Sequence, residues 1–343
     1  MRAVVLYQTG DPEVLQYRED IPEPQLQPDE VLVRVRATSL NRVDIVIRRG
    51  YPGLELRLPH ILGGDIAGEI VECGSAVEHL RPGQRVLVYP IVWCGRCSLC
   101  RRGLENLCVN WQYFGMHRAG SYAEYVAVPA CCCIELPENV DFAEAACLPI
   151  AGLTAFHALV SVAQLQPGET LLLWGASGGM GNFAIQLAKL QGAQVIATTR
   201  RYPQLEATLS EWGADFVLPH DPDVVSAKLR ELLPDGVDVV LDYVGPSTFP
   251  SSFALLRKGG RVVLCGILTG RESMLSLHQT YLRHLTIYGI YLGTLAELKR
   301  LLELLATGQL RPAIAERLPL SEAVHAHRLM ESSQHVGKLI LLP

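Results

Sequence analysis

The sequence lacks the features of a nucleic-acid binder, a membrane protein or a disordered chain. Only 19% of its 343 residues are charged, the formal net charge is −5, and basic residues occur in short groups such as Arg48-Arg49. A nucleic-acid or membrane-surface binder normally presents a basic face. No apolar run approaches the roughly 18–20 residues that a membrane-spanning helix needs, and no signal-peptide pattern follows Met1. We therefore expect a cytoplasmic protein with neither a nucleic-acid nor a membrane partner.

The ten cysteines are not arranged as the disulfide framework of a secreted protein. Four of them occur as Cys94-x2-Cys97-x2-Cys100-x7-Cys108, and clustered cysteines in a reducing compartment more often hold a metal than pair with each other. Four thiolates at these spacings can close a tetrahedral shell around one zinc ion, with no position open for chemistry. An iron–sulfur cluster is the alternative, because its ligands also repeat as C-x2-C. The pattern predicts one structural zinc per chain.

The hydrophobic pattern changes near residue 140, and this change indicates two domains. The first 130 residues are β-rich, with alternating segments such as Val31 to Ala37. From residue 170 onwards, apolar strands alternate with helices, which predicts a doubly wound α/β domain with a parallel sheet. After residue 290 we predict a helix from Leu295 to Ala306, another around Ser321 to Glu331, and a final strand from Lys338 to Leu342 that returns to the first domain. The predicted strands of the α/β domain are Thr170 to Trp174, Gln194 to Thr198, Asp215 to Leu218, Val237 to Leu241, Arg261 to Cys265 and Leu285 to Tyr288.

A glycine-rich turn joins the first of these strands to the first helix. The glycines suit a tight turn, a close approach of the backbone to a pyrophosphate, and close packing of helix on strand, while the helix N-terminus offers free N–H groups to phosphates. A strand–turn–helix without a ligand would show similar glycines, but the position within an α/β domain favours dinucleotide binding. The predicted phosphate-binding residues are Gly175, Ser177, Gly178, Gly179, Met180 and Gly181.

The end of the second strand indicates which dinucleotide binds. NAD-preferring sites place an Asp or Glu there for the ribose hydroxyls, whereas this chain has Thr199-Arg200-Arg201. A guanidinium can grip a 2′-phosphate that a carboxylate would repel. The sequence thus predicts NADP(H), unless both arginines are ordinary solvated loop residues.

These motifs stand in the order of the medium-chain dehydrogenase/reductase superfamily, which the chain resembles over nearly its whole length. The resemblance is carried by the cysteine lobe, Gly63-Gly64-Asp65-Ile66-Ala67-Gly68, Gly152-Leu153-Thr154-Ala155, the glycine turn and Gly259-Gly260-Arg261-Val262-Val263. It implies a GroES-like β-rich domain at 1–148 and 290–343 with the zinc lobe at 94–108, a Rossmann domain at 149–289, and an active-site cleft between them. It also implies a homodimer or homotetramer.

The chain departs from the zinc-dependent alcohol dehydrogenases where they bind the catalytic metal. The family carries a Cys, a His-Glu pair and a further Cys where this chain has Asn41, Gly64-Asp65 and Ile150. Without thiolate or imidazole ligands a catalytic zinc is not held, although His117 or Cys147 could in principle substitute. Asn41 at the cysteine position resembles the quinone oxidoreductases and enoyl reductases, which use NADPH and no catalytic metal. Most of those enzymes lack the zinc lobe, so this chain combines features of both groups.

The resemblance implies reduction of a quinone or an α,β-unsaturated carbonyl by hydride transfer from NADPH. Asn41 is expected to donate hydrogen bonds to the nicotinamide or the substrate, and Asp44 either positions Asn41 or caps the following helix. Thr154, in a turn like the family's nicotinamide-facing loop, is expected to bind the carboxamide. Tyr51 matches a proton donor of some enoyl reductases, or is a half-buried packing residue. Strand ends supply the remaining predicted cofactor contacts, namely Val244, Gly266, Ile267, Tyr291 and Leu292.

Two other functions remain open from the sequence. One is an alcohol dehydrogenase with an atypical metal site. The other is a non-catalytic protein that senses or stores NADPH.

Overall fold

A computed structural model describes residues 1–51 and 53–343 of the chain. Its strands, in order, are β1 (Ala3–Leu6), β2 (Leu15–Arg18), β3 (Glu30–Ser39), β4 (His60–Ile61), β5 (Ile66–Cys73), β6 (Arg85–Val88), β7 (Ile91–Val92), β8 (Gln112–Tyr113), β9 (Tyr125–Pro129), β10 (Cys133–Glu135), β11 (Thr170–Leu173), β12 (Gln194–Thr199), β13 (Phe216–Pro219), β14 (Val237–Asp242), β15 (Leu256–Leu264), β16 (Thr286–Gly289), β17 (Ile314–Pro319) and β18 (Lys338–Leu342). Its α-helices are α1 (Arg42–Arg49), α2 (Phe142–Ala145), α3 (Leu153–Phe156), α4 (Gly179–Leu190), α5 (Glu206–Glu211), α6 (Pro222–Leu232), α7 (Phe249–Leu255), α8 (Leu277–Leu282), α9 (Leu295–Ala306) and α10 (Ala323–Ser332).

The first compact unit comprises Met1–Leu153 and Thr294–Pro343. Its main sheet has the order β10-β6-β5-β3-β18-β17, with β9 also paired to β3, and a smaller sheet has the order β2-β1-β4. Strand β18 pairs antiparallel with β3, so that Leu341 lies opposite Thr38. The predicted return of the C-terminal segment to the β-rich domain is therefore confirmed. Both β18 and α9 have the bounds that the sequence predicts.

The second unit, Thr154–Gly293, contains a six-stranded sheet with the order β13-β12-β11-β14-β15-β16. All its strand pairs are parallel. This is the strand order of a Rossmann fold. Its central strand β11 is completely buried, as expected for a parallel strand covered by helices on both faces. The predicted doubly wound fold is confirmed, although β15 begins at Leu256, five residues before the predicted start.

A continuous helical segment, Phe142–Val162, is longer and more apolar than the sequence analysis allows. Its 21 residues contain an 18-residue window with a mean hydropathy of 1.8, so the expectation that no segment approaches membrane-spanning length is wrong. The segment begins at Asp141, which caps the N–H groups of Ala143 and Glu144 at 3.1 and 3.3 Å. Since 72% of that window is buried inside the protein, its apolar character is that of a core helix.

Candidate functional site

The glycine turn after β11 has the geometry that a dinucleotide requires. Helix α4 begins at Gly179, directly after Gly178, and a Cβ added to Gly178 would meet no atom within 4 Å. Open space therefore lies at the helix N-terminus, where free N–H groups favour phosphate. A Cβ on Gly181 would lie 2.0 Å from the carbonyl oxygen of Ala176, which only glycine permits. The residues fit a bound dinucleotide.

The predicted selectivity residues lie at the end of β12. Thr199 is buried, and its hydroxyl accepts a hydrogen bond from the Arg201 N–H at 3.2 Å. Arg200 and Arg201 follow in an exposed turn. The structure thus places two guanidinium groups, and no carboxylate, directly after this strand.

The other predicted cofactor contacts follow the carboxyl ends of the next strands in the sheet. Val244 follows β14, Gly266 and Ile267 follow β15, and Tyr291 and Leu292 follow β16. In a parallel sheet these ends lie at one edge, where this fold binds ligands.

Asp242 holds the loop after β14, a role that the sequence pattern at this strand end does not indicate. This carboxylate is completely buried and accepts hydrogen bonds from the N–H groups of Val244 and Gly245 at 2.9 and 3.0 Å. The hydroxyls of Thr248 and Ser252 also donate to it. With both oxygens satisfied, Asp242 fixes the backbone on which Val244 is presented.

Asn41 lies in a buried polar cluster of the first unit. Its amide nitrogen donates to Asp65 Oδ2 at 2.8 Å and to the Ser39 carbonyl oxygen at 3.3 Å. Its amide oxygen accepts from Lys338 Nζ at 2.7 Å. Both donor hydrogens of Asn41 are therefore engaged inside the protein, and its expected donation to substrate or nicotinamide stays a prediction that would require one of these bonds to be exchanged.

Lys338 is the charged partner in this cluster, and sequence reasoning missed it. Only 3% exposed, it also donates to the Leu40 carbonyl oxygen at 2.7 Å and lies 3.4 Å from Asp65 Oδ2. Burial raises the pKa of Asp65, while the Lys338 ammonium and the Ser39 hydroxyl act in the opposite direction. The amine thus compensates a carboxylate that has no access to water.

Asp44 fulfils both roles that the sequence allowed. Its Oδ2 accepts a hydrogen bond from the Asn41 backbone N–H at 2.8 Å, and so fixes Asn41 at the start of α1. The Tyr122 hydroxyl donates to the same oxygen at 3.4 Å. Burial raises the pKa of Asp44 to about 7.

A buried chain of hydrogen bonds continues from Tyr122 to α10. The Tyr122 hydroxyl lies 3.2 Å from His327 Nε2, and Arg48 Nη1 lies 3.1 Å from His327 Nδ1. Because arginine can only donate, His327 Nδ1 is an acceptor and the imidazole is neutral. Burial, with help from Arg48, lowers the pKa of His327 to about 3. This chain ties α10 to the helix that begins at Asn41.

The positions corresponding to the catalytic-zinc ligands are filled by protein. A Cβ on Gly64 would lie 2.5 Å from the Tyr113 hydroxyl oxygen and 3.0 Å from Ile150 Cδ1. Tyr113 is only 1% exposed. A ligating side chain at residue 64 would therefore collide with a phenol, and residue 150 contributes an aliphatic group in place of a thiolate.

His117 and Cys147 do not rebuild a metal site. His117 Nδ1 accepts a hydrogen bond from the Tyr113 backbone N–H at 3.2 Å, and the Cys147 thiol donates to the Ala143 carbonyl oxygen at 3.2 Å. Burial raises the pKa of Cys147 to about 12. Over residues 1–51 and 53–343, neither residue belongs to a group of three or more candidate ligands.

The remaining predicted catalytic residues occupy different environments. Tyr51 follows α1 and is 39% exposed. Thr154 is buried in α3, within the continuous helical segment Phe142–Val162, so its predicted position in a turn is wrong. A helix propagates through Gly152 because the segment is apolar and packed in the core.

The four lobe cysteines converge as the spacing predicts. Their Sγ atoms all lie within 4.8 Å of one another, and Cys100 Sγ lies 3.3 Å from Cys97 Sγ and 3.9 Å from Cys94 Sγ. With Zn–S bonds of about 2.3 Å, a zinc tetrahedron has edges of about 3.8 Å. An iron–sulfur cluster has several metal atoms and would hold the cysteine sulfurs further apart. The geometry fits a single ion.

Backbone N–H groups point at these sulfur atoms, as a thiolate shell needs. Cys108 Sγ accepts from Cys94 N at 3.3 Å and from Asn110 N at 3.4 Å. Hydrogen bonds from the N–H groups of Cys100 and Val109 lower the pKa of Cys97 to about 6, whereas burial raises the pKa of Cys100 to about 12. A deprotonated sulfur is the form that binds metal.

The chain combines a Rossmann unit, with open space at its glycine turn, and a β-rich unit that carries a cysteine lobe. This is the architecture of a nicotinamide-dependent dehydrogenase or reductase. Two family models match the chain: the alcohol dehydrogenase GroES-like domain over residues 27–138 and the zinc-binding dehydrogenase over residues 179–307. The chain is 33% identical to the NAD-dependent alcohol dehydrogenase of Sulfurisphaera tokodaii, with all of both chains covered. It is 30% identical to the quinone oxidoreductase of Rattus norvegicus, covering 100% of this chain and 98% of the relative.

A solved structure of an NAD-dependent alcohol dehydrogenase matches all of both chains with a TM-score of 0.94 and 37% identity. The chain belongs to the medium-chain dehydrogenase/reductase superfamily. It is an oxidoreductase of that superfamily.

Proposed function

We propose that this enzyme reduces a quinone or an α,β-unsaturated carbonyl with NADPH, without a catalytic metal, and holds one structural zinc in its cysteine lobe. The observation that carries the proposal is the contact between residue 64 and Tyr113. Space that a histidine ligand would need is occupied by a buried phenol.

The chemistry follows from the missing Lewis acid. A simple ketone or alcohol needs a metal or an equivalent charge to stabilise the developing oxyanion. A conjugated acceptor spreads the incoming charge onto its own oxygen, so a few hydrogen-bond donors suffice. Bound nicotinamide supplies the hydride, and the protein supplies position and polarity.

Side-chain roles are revised accordingly. The Asn41 amide is held by Asp65 and Lys338, so we assign it the task of shaping the site rather than donating to the substrate. Tyr51 stays the proposed proton donor because its side chain is exposed. Thr154 stays the proposed partner of the nicotinamide carboxamide.

The preference for NADPH is supported by the residues that follow β12. Thr199 cannot repel a 2′-phosphate, and the exposed guanidinium groups of Arg200 and Arg201 can bind one. We propose Arg200 and Arg201 as the phosphate ligands. The cysteine content supports a reducing, cytoplasmic setting.

The deciding experiment combines a substrate screen with zinc analysis on the full chain. NADPH consumption with quinones or enones, one zinc per chain and no turnover of simple alcohols would support the proposal. Arg200→Ala should weaken NADPH binding and leave NADH binding unchanged. A wild-type preference for NADH of tenfold or more would contradict the proposed cofactor.

An alcohol dehydrogenase is the second candidate, because relatives at 33% and 37% identity carry that name. It predicts two zinc ions per chain and oxidation of simple alcohols. A cofactor sensor predicts tight NADPH binding and no turnover with any acceptor. The same screen separates all three functions.

We further propose a homodimer formed through the edge of the parallel sheet. Strand β16 is the last strand of that sheet, and a free edge strand readily pairs with another chain. Exposed apolar side chains precede it in the sequence, a feature typical of interaction surfaces; they include Ile267, Leu268, Met274, Leu277, Tyr281 and Leu282. Light scattering should give twice the monomer mass of 37.7 kDa, and Leu277→Glu should halve it.

A further inference from the structure

The turn that begins the proposed phosphate-binding segment is connected to a histidine that directly follows strand β13. The Gly175 backbone N–H donates to Thr198 Oγ1 at 3.0 Å. Thr198 Oγ1 in turn lies 2.9 Å from His220 Nδ1. Thr198 is completely buried, so no water competes for its hydroxyl.

The direction of these bonds follows from the number of hydrogen atoms. Thr198 has one hydroxyl hydrogen, and its oxygen already accepts from Gly175. In the part of the chain that the structure describes, the acceptor within reach of this hydrogen is His220 Nδ1, so the buried hydroxyl donates to an unprotonated Nδ1. Protonation of His220 would make Nδ1 a donor to Thr198 Oγ1, and the buried hydroxyl hydrogen would then lose its acceptor, which weakens the connection.

The position of His220 is fixed by its surroundings. Its backbone N–H donates to the Thr199 carbonyl oxygen at 3.0 Å, because β12 and β13 are parallel neighbours. The edge of its ring packs against Trp174, with ring centroids 5.3 Å apart. These two contacts hold the imidazole beside Thr198.

The charged groups around His220 come from three elements. Burial is the main cause that lowers its pKa, and Arg200, after β12, acts in the same direction. Asp242, at the end of β14, and Asp221, which caps α6, act in the opposite direction. The net effect favours the neutral ring.

The far side of the turn is held independently of the histidine. The Tyr243 hydroxyl donates to the Gly175 carbonyl oxygen at 2.6 Å. Gly175 is thus held on its N–H side by the Thr198–His220 pair and on its carbonyl side by Tyr243. Loss of one partner should loosen the turn without unfolding the sheet.

We propose that His220 is a positioning residue for the dinucleotide: through Thr198 it holds the glycine turn in the conformation that receives the pyrophosphate. This rests on the proposed cofactor site. Since the pyrophosphate is common to NADH and NADPH, His220 supports the binding of both. It does not act as a ligand of the 2′-phosphate.

The test compares five variants with the wild-type protein at pH 8. His220→Ala and Thr198→Val should each raise the Kd of NADH and of NADPH by the same factor, about fivefold for the loss of one net hydrogen bond. The double variant should be no weaker than either single variant. His220→Asn keeps an acceptor at the position of Nδ1 and should restore binding. His325→Ala, which removes an exposed histidine of α10, is the matched control.

The affinity for ADP-ribose, which has the pyrophosphate but no 2′-phosphate, should also be measured as a function of pH. A purely structural role of His220 would not make this affinity depend on the protonation of the ring. Because burial lowers the pKa of His220, wild-type affinity should fall only at acid pH, below the ordinary range of histidine, whereas His220→Asn should show no such fall. Any of three results would overturn the proposal: a loss of affinity confined to NADPH, unchanged nucleotide binding in His220→Ala, or failure of His220→Asn to restore binding. If Thr198→Val does not fold, the His220 pair still decides it. If wild-type protein binds neither nucleotide, the proposed function fails instead.

Discussion

Replacing Gly64 with alanine tests whether the metal position is really filled. The added Cβ would lie 2.5 Å from the Tyr113 oxygen and 2.8 Å from its Cζ, against an ordinary contact of at least 3.4 Å. The buried phenol must move by about 0.9 Å to restore that contact, and overpacking of this kind costs about 1–3 kcal/mol of folding free energy. For a unit of this size, each kcal/mol of lost folding free energy lowers Tm by about 2–4 °C.

Differential scanning calorimetry on three variants measures this cost. Gly64→Ala should lower the Tm of the β-rich unit, and adding Tyr113→Phe should recover part of the loss, because it removes the nearest atom. Gly289→Ala is the control, since a Cβ there would meet nothing within 4 Å. If Gly64→Ala were as stable as the wild type, the space beside residue 64 would be open. Residue 64 would then have room for a ligating side chain, and its surroundings would not exclude a catalytic metal.

Three further variants test the electrostatics of the same unit. Asp44 has a folded-state pKa of about 7, so ionising the buried carboxyl group lowers the folding stability progressively from about pH 4 to pH 7. The Tm of Asp44→Asn should therefore rise relative to that of the wild type between pH 5 and pH 8. A Tm difference that does not change with pH would contradict the raised pKa. Cys97→Ser should lower zinc content from one per chain to none and reduce Tm while hydride transfer persists in folded protein; chelation that abolishes activity with Tm unchanged would refute this. Lys338→Met leaves the buried Asp65 carboxylate without its charged partner and should lower the free energy of unfolding, measured in urea, by about 3–5 kcal/mol. Adding Asp65→Asn should recover most of that loss. If it recovers none, the two residues are not coupled.

Local pattern was sufficient for the elements and motifs of this chain. The bounds of α9 and β18, the parallel strands and the convergence of four cysteines all follow from periodicity or short spacing. Thr154 shows the limit of motif reading, because Gly152 indicates a turn and the buried helix continues through it.

The polar interior depended on contacts that no local pattern contains. Lys338 lies 297 residues from Asn41 in the sequence, and the Lys338 amine meets the Asn41 amide only because β18 pairs with β3. Tyr113 opposite Gly64 and His220 beside Thr198 are further examples. A lysine at the start of a strand is usually solvated, so its sequence context gives no sign of a buried ion pair.

The discontinuity of the β-rich unit has a consequence for biosynthesis. Residues 154–293 form one contiguous stretch and can fold as soon as they leave the ribosome, as domains generally do during synthesis. The β-rich unit needs β18 to complete its sheet and Lys338 to neutralise Asp65, and both arrive with the last six residues of the sequence. Residues 1–153 therefore stay incompletely paired until Lys338–Leu342 has been synthesised. A stop codon just before Lys338 would leave residues 154–293 able to fold and would leave the β-rich unit without β18.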